Sequence, residues 1–390
     1  MSVKIRPGCR GKPATNKHRM NIELSDFAAC LRERISNRQS AIGNRQFSEL
    51  ALELFSLQFK HNSAYQKICK ARKLTPEAVT HWTQIPAVPT AAFKELELTS
   101  IPPAEHTAVF HSSGTTEQKP SRHFHSPESL AVYEASLWTW FESGALGAGR
   151  EALGLVLLTP PPAQVPHSSL VHMFETVRRK LDVPETVFVG ELADDGVWTL
   201  DFVATLAALS PRAHGSTPTA SFLLGTAFSF VHLLDYLAER NLRVELPAGS
   251  RVMETGGYKN RSRMLPKAEL HTLITERLGV PRENIICEYG MSELSSQAYD
   301  AATQNLNLKT QNLERQFHYP PWVRVQIISP ETGCEVAEGE TGLIRIFDLA
   351  NVFSVAAIQT EDLGVRRGTG FELIGRAQLA EPRGCSLMTA

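Results

Sequence analysis

"IICEYGMSEL", residues 285–294, sets a short apolar run directly before Glu288-Tyr289-Gly290-Met291-Ser292-Glu293. An apolar run of this length bounded by turn residues reads as a buried strand. The groups that follow suit a nucleotide: a flat ring at Tyr289 for a base, Gly290 for close backbone approach, the Ser292 hydroxyl for an α-phosphate and the Glu293 carboxylate for Mg²⁺. The same letters equally describe a strand end with a buried tyrosine, and the stretch alone leaves both readings open.

Three other stretches have the same form, a strand running into small or polar residues. "AVFHSSGTTEQKPSRHFH", residues 108–125, holds Ser112, Ser113, Gly114, Thr115 and Thr116, then Lys119, before a helix start near Ser126-Pro127-Glu128. Small hydroxyl residues and a glycine let backbone and side-chain donors close on a phosphate, although such a cluster is also an ordinary polar turn. The stretch departs from G-x-x-x-x-G-K-[ST], so the chain does not read as a P-loop NTPase. "VMETGGYKN", residues 252–260, places Gly256 and Gly257 where a ligand can lie against bare backbone, with Tyr258 offering a ring face. "IQTEDLGV", residues 358–365, offers Asp362 as an acceptor for a ribose diol, or as a hairpin carboxylate.

The bulk properties narrow the partners. Forty Lys and Arg against 41 Asp and Glu leave a net charge of −1, which argues against a nucleic-acid surface and for a small-molecule or protein partner. Apolar runs such as 153–158 and 220–230 fall well short of the roughly 20 residues that span a bilayer. The basic opening MSVKIRPGCRGKPATNKHRM has no apolar core and does not read as a secretory signal. Six cysteines without C-x-x-C spacing indicate neither a zinc site nor a disulfide framework, and a reducing cytoplasm is the expected setting.

Helical spacing of Phe27, Cys30, Leu31 and Ile35, and of Phe47, Leu50, Leu54 and Phe55, predicts two N-terminal helices, with Ser25 as the first N-cap. Thr75-Pro76-Glu77 predicts a further helix start. Short apolar runs at 154–158, 186–189, 221–224, 251–254 and 285–288 alternate with helical patterns at 129–143, 170–180 and 267–278, the signature of an α/β sheet with covering helices. Strands at 323–328, 342–347, 354–359 and 371–374 then predict a small antiparallel β subdomain. The expected organisation is a disordered tail over 1–20, an α/β core over 21–317, the β subdomain over 318–375 and a Cys-bearing C-terminal tail over 376–390.

In order and rough spacing the four stretches resemble the adenylate-forming enzymes, among them acyl-CoA synthetases, luciferases and nonribosomal adenylation domains. "IPAVPTAAFKE", "FHSSGTTEQKPSRH", "FLLGTAF", "METGGYK" and the closing "RGCSL" resemble more narrowly the acyl-protein synthetase branch, the fatty-acid activating component of bacterial bioluminescence reductase complexes and its relatives. The resemblance runs from about residue 21 to 390 and implies the large N-terminal domain of these enzymes, mixed β-sheets with covering helices plus a small β subdomain, with the C-terminal lid domain truncated. There are departures: Glu117 stands where the phosphate loop usually has glycine, Lys119 precedes Pro120 instead of following it, Ser292 replaces a threonine, and Glu361 replaces the glycine before Asp362.

The resemblance implies ATP and Mg²⁺ as cofactors and formation of an acyl-AMP from a fatty or other carboxylic acid, with pyrophosphate released. It assigns Ser112, Ser113, Gly114, Thr115, Thr116 and Ser292 to the phosphates, Glu293 to the metal, and Gly256, Gly257, Tyr258, Tyr289 and Gly290 to the adenine. Asp362 takes the ribose, and Arg376 belongs to the Gly-Arg hinge of IGRAQ. The superfamily's C-terminal lysine has no counterpart after Lys309, so Lys119, Lys259 or Arg376 is expected to supply its charge. Cys385 matches the cysteine that accepts the acyl group, beside Arg383, which favours its thiolate. An acyl-protein reductase or a carrier protein is the expected recipient. The alternatives are an acyl- or aryl-CoA ligase, told apart by acyl-CoA formation, and an inactive scaffold of the same fold, told apart by absence of pyrophosphate exchange.

Overall fold

Leu24, Phe27, Ala28, Leu31 and Ile35 line one side of helix α1 (Asn16–Ser36), and Phe47, Leu50, Ala51, Leu54 and Phe55 one side of α2 (Asn44–His61); both stripes are buried, as amphipathic helices on a core require. The computed structural model describes residues 16–37, 42–112, 119–146, 153–183, 186–210, 220–257, 262–300 and 315–377. Helix α3 (Ser63–Ala71) follows, Asn62 capping it by accepting the Tyr65 amide at 3.0 Å.

Four details of this region differ from expectation. α1 begins at Asn16, so residues 16–20 are helical although they fall in the expected tail. Ser25 is mid-helix and caps nothing; its hydroxyl donates at 2.8 Å to Glu128, across the α1 surface. Cys30 stands roughly 100° round the helix from the apolar stripe and is exposed. Thr75-Pro76-Glu77 makes a single turn, closed by the Ala78 and Val79 amides on the Thr75 carbonyl, because no apolar stripe follows that could bury a longer helix.

The chain then forms β1 (Val88–Pro89), α4 (Ala92–Glu95) and the antiparallel arms β2 (Ala108–His111) and β3 (Arg122–His125), which pair from Ala108↔His125 to His111↔Arg122. α5 (Pro127–Phe141) starts where the sequence placed it, with Ser126 as cap and Pro127 at the first helical position.

Alternation follows: β4 (Leu153–Leu157), α6 (Ser169–Leu181), β5 (Thr186–Phe188), the small hairpin β6 (Gly190–Leu192) and β7 (Trp198–Leu200), α7 (Phe202–Leu209), β8 (Ala220–Thr226), α8 (Ala227–Glu239), β9 (Arg251–Thr255), α9 (Lys267–Leu278), β10 (Ile285–Tyr289) and β11 (Ala298–Tyr299). The sheet order is β11-β10-β9-β8-β4-β5, parallel except for β11. Val156, Leu223, Val252 and Ile285 face a core shared with α8 and α9. Their neighbours Leu155, Phe222, Met253 and Ile286 face one shared with α5 and α6. A sheet buried on both faces is why these strands read as continuous apolar runs.

A second sheet is built from β12 (Val323–Ile328), β13 (Thr341–Asp348), β14 (Ala357–Arg367) and β15 (Gly370–Arg376), antiparallel among themselves, with the two-residue β1 added parallel to β14. The apolar face of this sheet shares its core with α1, α2 and α3. β14 is longer than the predicted 354–359 strand and carries Asp362 inside it, opposite Arg376 of β15. Asp362 therefore sits on a strand and not in a hairpin turn.

Candidate active site

Parallel sheets gather ligands beyond the carboxyl ends of their strands, and β9 and β10 end side by side. β9 runs into Gly256 and Gly257. Gly256 lies at φ +72, the left-handed region that favours glycine, and a Cβ built on either residue meets no atom of the described residues within 4 Å. Among the described residues nothing covers this backbone, which fits a ligand lying against it.

β10 runs into the turn that carries Ser292 and Glu293, both buried. The Ser121 amide donates to Ser112 Oγ at 3.0 Å, the Ser121 and Ser292 hydroxyls stand 3.4 Å apart, and Ser292 Oγ donates to Glu293 Oε2 at 3.1 Å. The arms of the predicted phosphate loop, joined to each other through the Ser121 amide, thus meet the Ser292-Glu293 turn through the Ser121 and Ser292 hydroxyls. His123 Nδ1 lies 2.8 Å from the Ser292 carbonyl; a carbonyl only accepts, so this nitrogen carries the proton. Burial pushes His123 down to about 4, with the Ser292 carbonyl opposing, so the ring is neutral. Asn351 donates to the Glu293 carbonyl at 2.9 Å. Asp348 accepts from the Ser295 amide at 3.0 Å and the Ser296 hydroxyl at 2.8 Å.

The second sheet supplies the opposite wall. The Tyr289 hydroxyl donates to Asp362 Oδ2 at 2.8 Å, and Arg376 Nε stands 3.4 Å from Asp362 Oδ1. Tyr289 packs edge-on against Phe317, Tyr319 and Phe371 and is only 7% exposed. Its hydroxyl, more than its ring face, is what it commits to the site. Gly290 also differs from its expected part: a Cβ there would stand 2.4 Å from Glu288 Oε1, so the bare backbone makes room for a neighbouring side chain.

Lys119 is 54% exposed and faces Glu95 at 3.8 Å, a surface pair of little energetic weight. Ser113, Gly114, Thr115, Thr116, Tyr258, Lys259 and Cys385 lie outside the described residues. The sequence reading missed Ser121, His123 and Asn351. The period-two pattern of Arg122-His123-Phe124-His125 after the loop marks a strand with its histidines on one face, but nothing around Asn351 signals its contact with Glu293.

No group of three or more His, Cys, Asp or Glu side chains stands ready for a metal among the described residues. One carboxylate beside a hydroxyl nevertheless suits Mg²⁺, which keeps several waters and is commonly held by one or two carboxylates together with substrate phosphates. The residues present fit an ion that arrives with the nucleotide.

A buried parallel sheet with glycine-rich and hydroxyl-rich turns at its carboxyl ends, walled by a second sheet that presents Asp362 and Arg376, defines the large domain of an adenylate-forming ligase. Structures of 2-hydroxyisobutyryl-CoA ligase in complex with 2-HIB-AMP share this fold, with TM-scores of 0.62 and 0.63 at 12% identity, over 85% of this chain and 69% and 67% of theirs. Residues 36–390 match the family described as acyl-protein synthetase, LuxE, and the chain belongs to that family. It is 25% identical over 362 residues to the long-chain-fatty-acid–luciferin-component ligase of Aliivibrio fischeri, covering 88% of this chain and 87% of that one. The corresponding ligase of Vibrio harveyi is 23% identical, with 87% and 86% covered. The chain is a ligase of the ATP-dependent, acid-activating kind. Among the described residues no helix is long and apolar enough to cross a membrane.

Proposed function

We propose that the protein activates a long-chain fatty acid with ATP and Mg²⁺ and passes the acyl group to the Cys385 thiol for delivery to an acyl-protein reductase or a carrier protein. A carboxylate is a poor electrophile. Its oxygen attacks the α-phosphorus of ATP, the bond to the β-phosphate breaks, and pyrophosphate leaves. The cysteine thiolate then attacks the acyl carbon and AMP leaves. Mg²⁺ offsets the charge that gathers on the phosphates in the first step.

Each residue has a part in this reading. Glu293 holds the metal, Ser292 donates to the α-phosphate, and Ser112 with Ser113, Gly114, Thr115 and Thr116 closes on the outer phosphates. Gly256 and Gly257 border the adenine, to which Tyr258 is also assigned, while Tyr289 holds Asp362 through its hydroxyl and Gly290 leaves room for Glu288. Asp362 accepts from the ribose, and Arg376 and Lys119 supply positive charge. Transfer to a cysteine of the same chain would be effectively intramolecular, and a reducing cytoplasm would keep that thiol free. The observation that supports the reading most directly is the set of hydrogen bonds that joins Ser112, through the Ser121 amide and hydroxyl, to Ser292 and Glu293.

Incubation with labelled palmitate and Mg-ATP tests it. The wild type is expected to become covalently labelled, with the label cleaved by hydroxylamine. Cys385→Ser should retain ATP–pyrophosphate exchange and take up no label. Glu293→Gln should lose exchange by a factor on the order of 100. Labelling of Cys385→Ser at the wild-type level would remove Cys385 as acceptor, and release of acyl-CoA with no protein label would favour a CoA ligase.

A further inference from the structure

Glu288 has no part in the chemistry above, yet it is buried beside it. It pairs in register with Thr255 across β9 and β10, and the Thr255 hydroxyl donates to its Oε2. Both residues stand at strand ends that lead into site loops: Thr255 is the last residue of β9, before Gly256 and Gly257, and Glu288 is the penultimate residue of β10, before Tyr289 and Gly290. We propose that Glu288 is a positioning residue that ties the two strand ends beneath the nucleotide, and that residue 290 is glycine to make room for the Glu288 carboxyl. The proposal rests on the nucleotide site assigned above.

Gly290 is absent from the glycines of positive φ, so an alanine there carries no backbone penalty. What it meets is Glu288 Oε1 at 2.4 Å, with Gln297 Cγ next at 3.4 Å. An exposed glutamate would swing aside. Glu288 is 5% exposed, held by Thr255 on one side, with Tyr133 of α5, Tyr299 of β11 and Glu254 of β9 close enough to influence it or be influenced by it. Burial pushes its carboxyl up to about 7, against the pull of Thr255, as expected of a group with little water. A methyl at 290 therefore displaces the carboxyl from Thr255 and loosens the tie.

A double-mutant cycle in the full-length protein, read by ATP–pyrophosphate exchange with palmitate and by thermal unfolding, tests this. Gly290→Ala and Glu288→Ala are each expected to raise KM for ATP about tenfold while KM for palmitate moves less than about twofold, and the double variant should be no worse than Glu288→Ala alone. Glu288→Gln, which keeps an acceptor for Thr255, should stay within about threefold of wild type. If the costs of Gly290→Ala and Glu288→Ala multiply in the double variant, or Glu288→Ala leaves KM for ATP unmoved, the proposal is overturned. The unfolding midpoints carry the same cycle without catalysis: non-additive shifts support the packing, and additive shifts overturn it. Wild-type protein without exchange would instead defeat the functional reading, leaving the midpoint cycle to judge the Glu288–Gly290 pair.

Discussion

His123 shows how one side chain can hold the Ser292-Glu293 turn through its backbone alone. Its protonated Nδ1 meets the Ser292 carbonyl at 2.8 Å in a buried setting, where an unpaired carbonyl costs about 1–3 kcal/mol. His123→Asn, which retains a donor at a similar reach, is expected to keep most exchange activity, and His123→Leu to lose stability by about that amount together with activity. The acid side gives a second readout. In the unfolded chain a histidine takes up its proton near 6.5, whereas burial holds His123 down at about 4 and His125 well below its ordinary value. The unfolded state therefore binds more protons between these limits, and stability falls as pH drops from about 6.5 towards 4. Urea midpoints measured across that range should decline less steeply for His123→Asn than for wild type; equal slopes would mean that another group carries the transition. None of this is written in a motif. Ser292 and Glu293 are legible because the proposed chemistry asks for their chemical type, while His123 matters through a backbone contact that only folding creates.

Strands and helices were legible where burial imposes a period. The runs at 154–158, 221–224, 251–254 and 285–288 became β4, β8, β9 and β10 because each is covered on both faces. Thr75-Pro76-Glu77 misled because capping chemistry starts a helix only when an apolar face follows to be buried, and β1 escaped because two residues carry no period. The junction between sheets was equally silent. Asp348, the last residue of β13, accepts from the Ser295 amide, the Ser296 hydroxyl and the Ala350 amide, and so moors the Ser292-Glu293 turn to the second sheet. Burial pushes its carboxyl up to about 6, those donors pulling it back, so it contributes stability below about 3.8 that is lost as pH rises through 6. Asp348→Asn removes that pH dependence but leaves one of the three donors facing an amide group. At pH 7.5 it is expected to lower stability by about 1–3 kcal/mol, and calorimetry at pH 5 and 7.5 should find the gap to wild type wider at pH 5, where the native carboxyl is already largely protonated and least penalised.

The proposed site draws on two sheets, with side chains from both. Tyr289 closes the seam: its ring belongs to the aromatic cluster around Phe317, Tyr319 and Phe371, its hydroxyl to Asp362 on β14, and Arg376 on β15 adds a weaker, outer pair to the same carboxylate. The two contacts differ in setting. The Tyr289 hydroxyl sits on a buried residue, where a hydrogen bond to a charged acceptor is worth about 1.5–3 kcal/mol, whereas the Arg376 side chain is 80% exposed, where solvent reduces an ion pair to about 0–1 kcal/mol. Tyr289→Phe keeps the packing and removes only the hydroxyl; it is expected to destabilise the protein measurably and, on the proposed role of Asp362 toward the ribose, to raise KM for ATP several-fold. Arg376→Ala should leave the unfolding midpoint nearly unchanged. If it nevertheless abolishes pyrophosphate exchange, Arg376 acts on the reacting phosphates. Lys119, drawn to Glu95 at the surface, offers the contrasting measurement: a large loss on Lys119→Ala with little on Arg376→Ala would move that part to the phosphate loop.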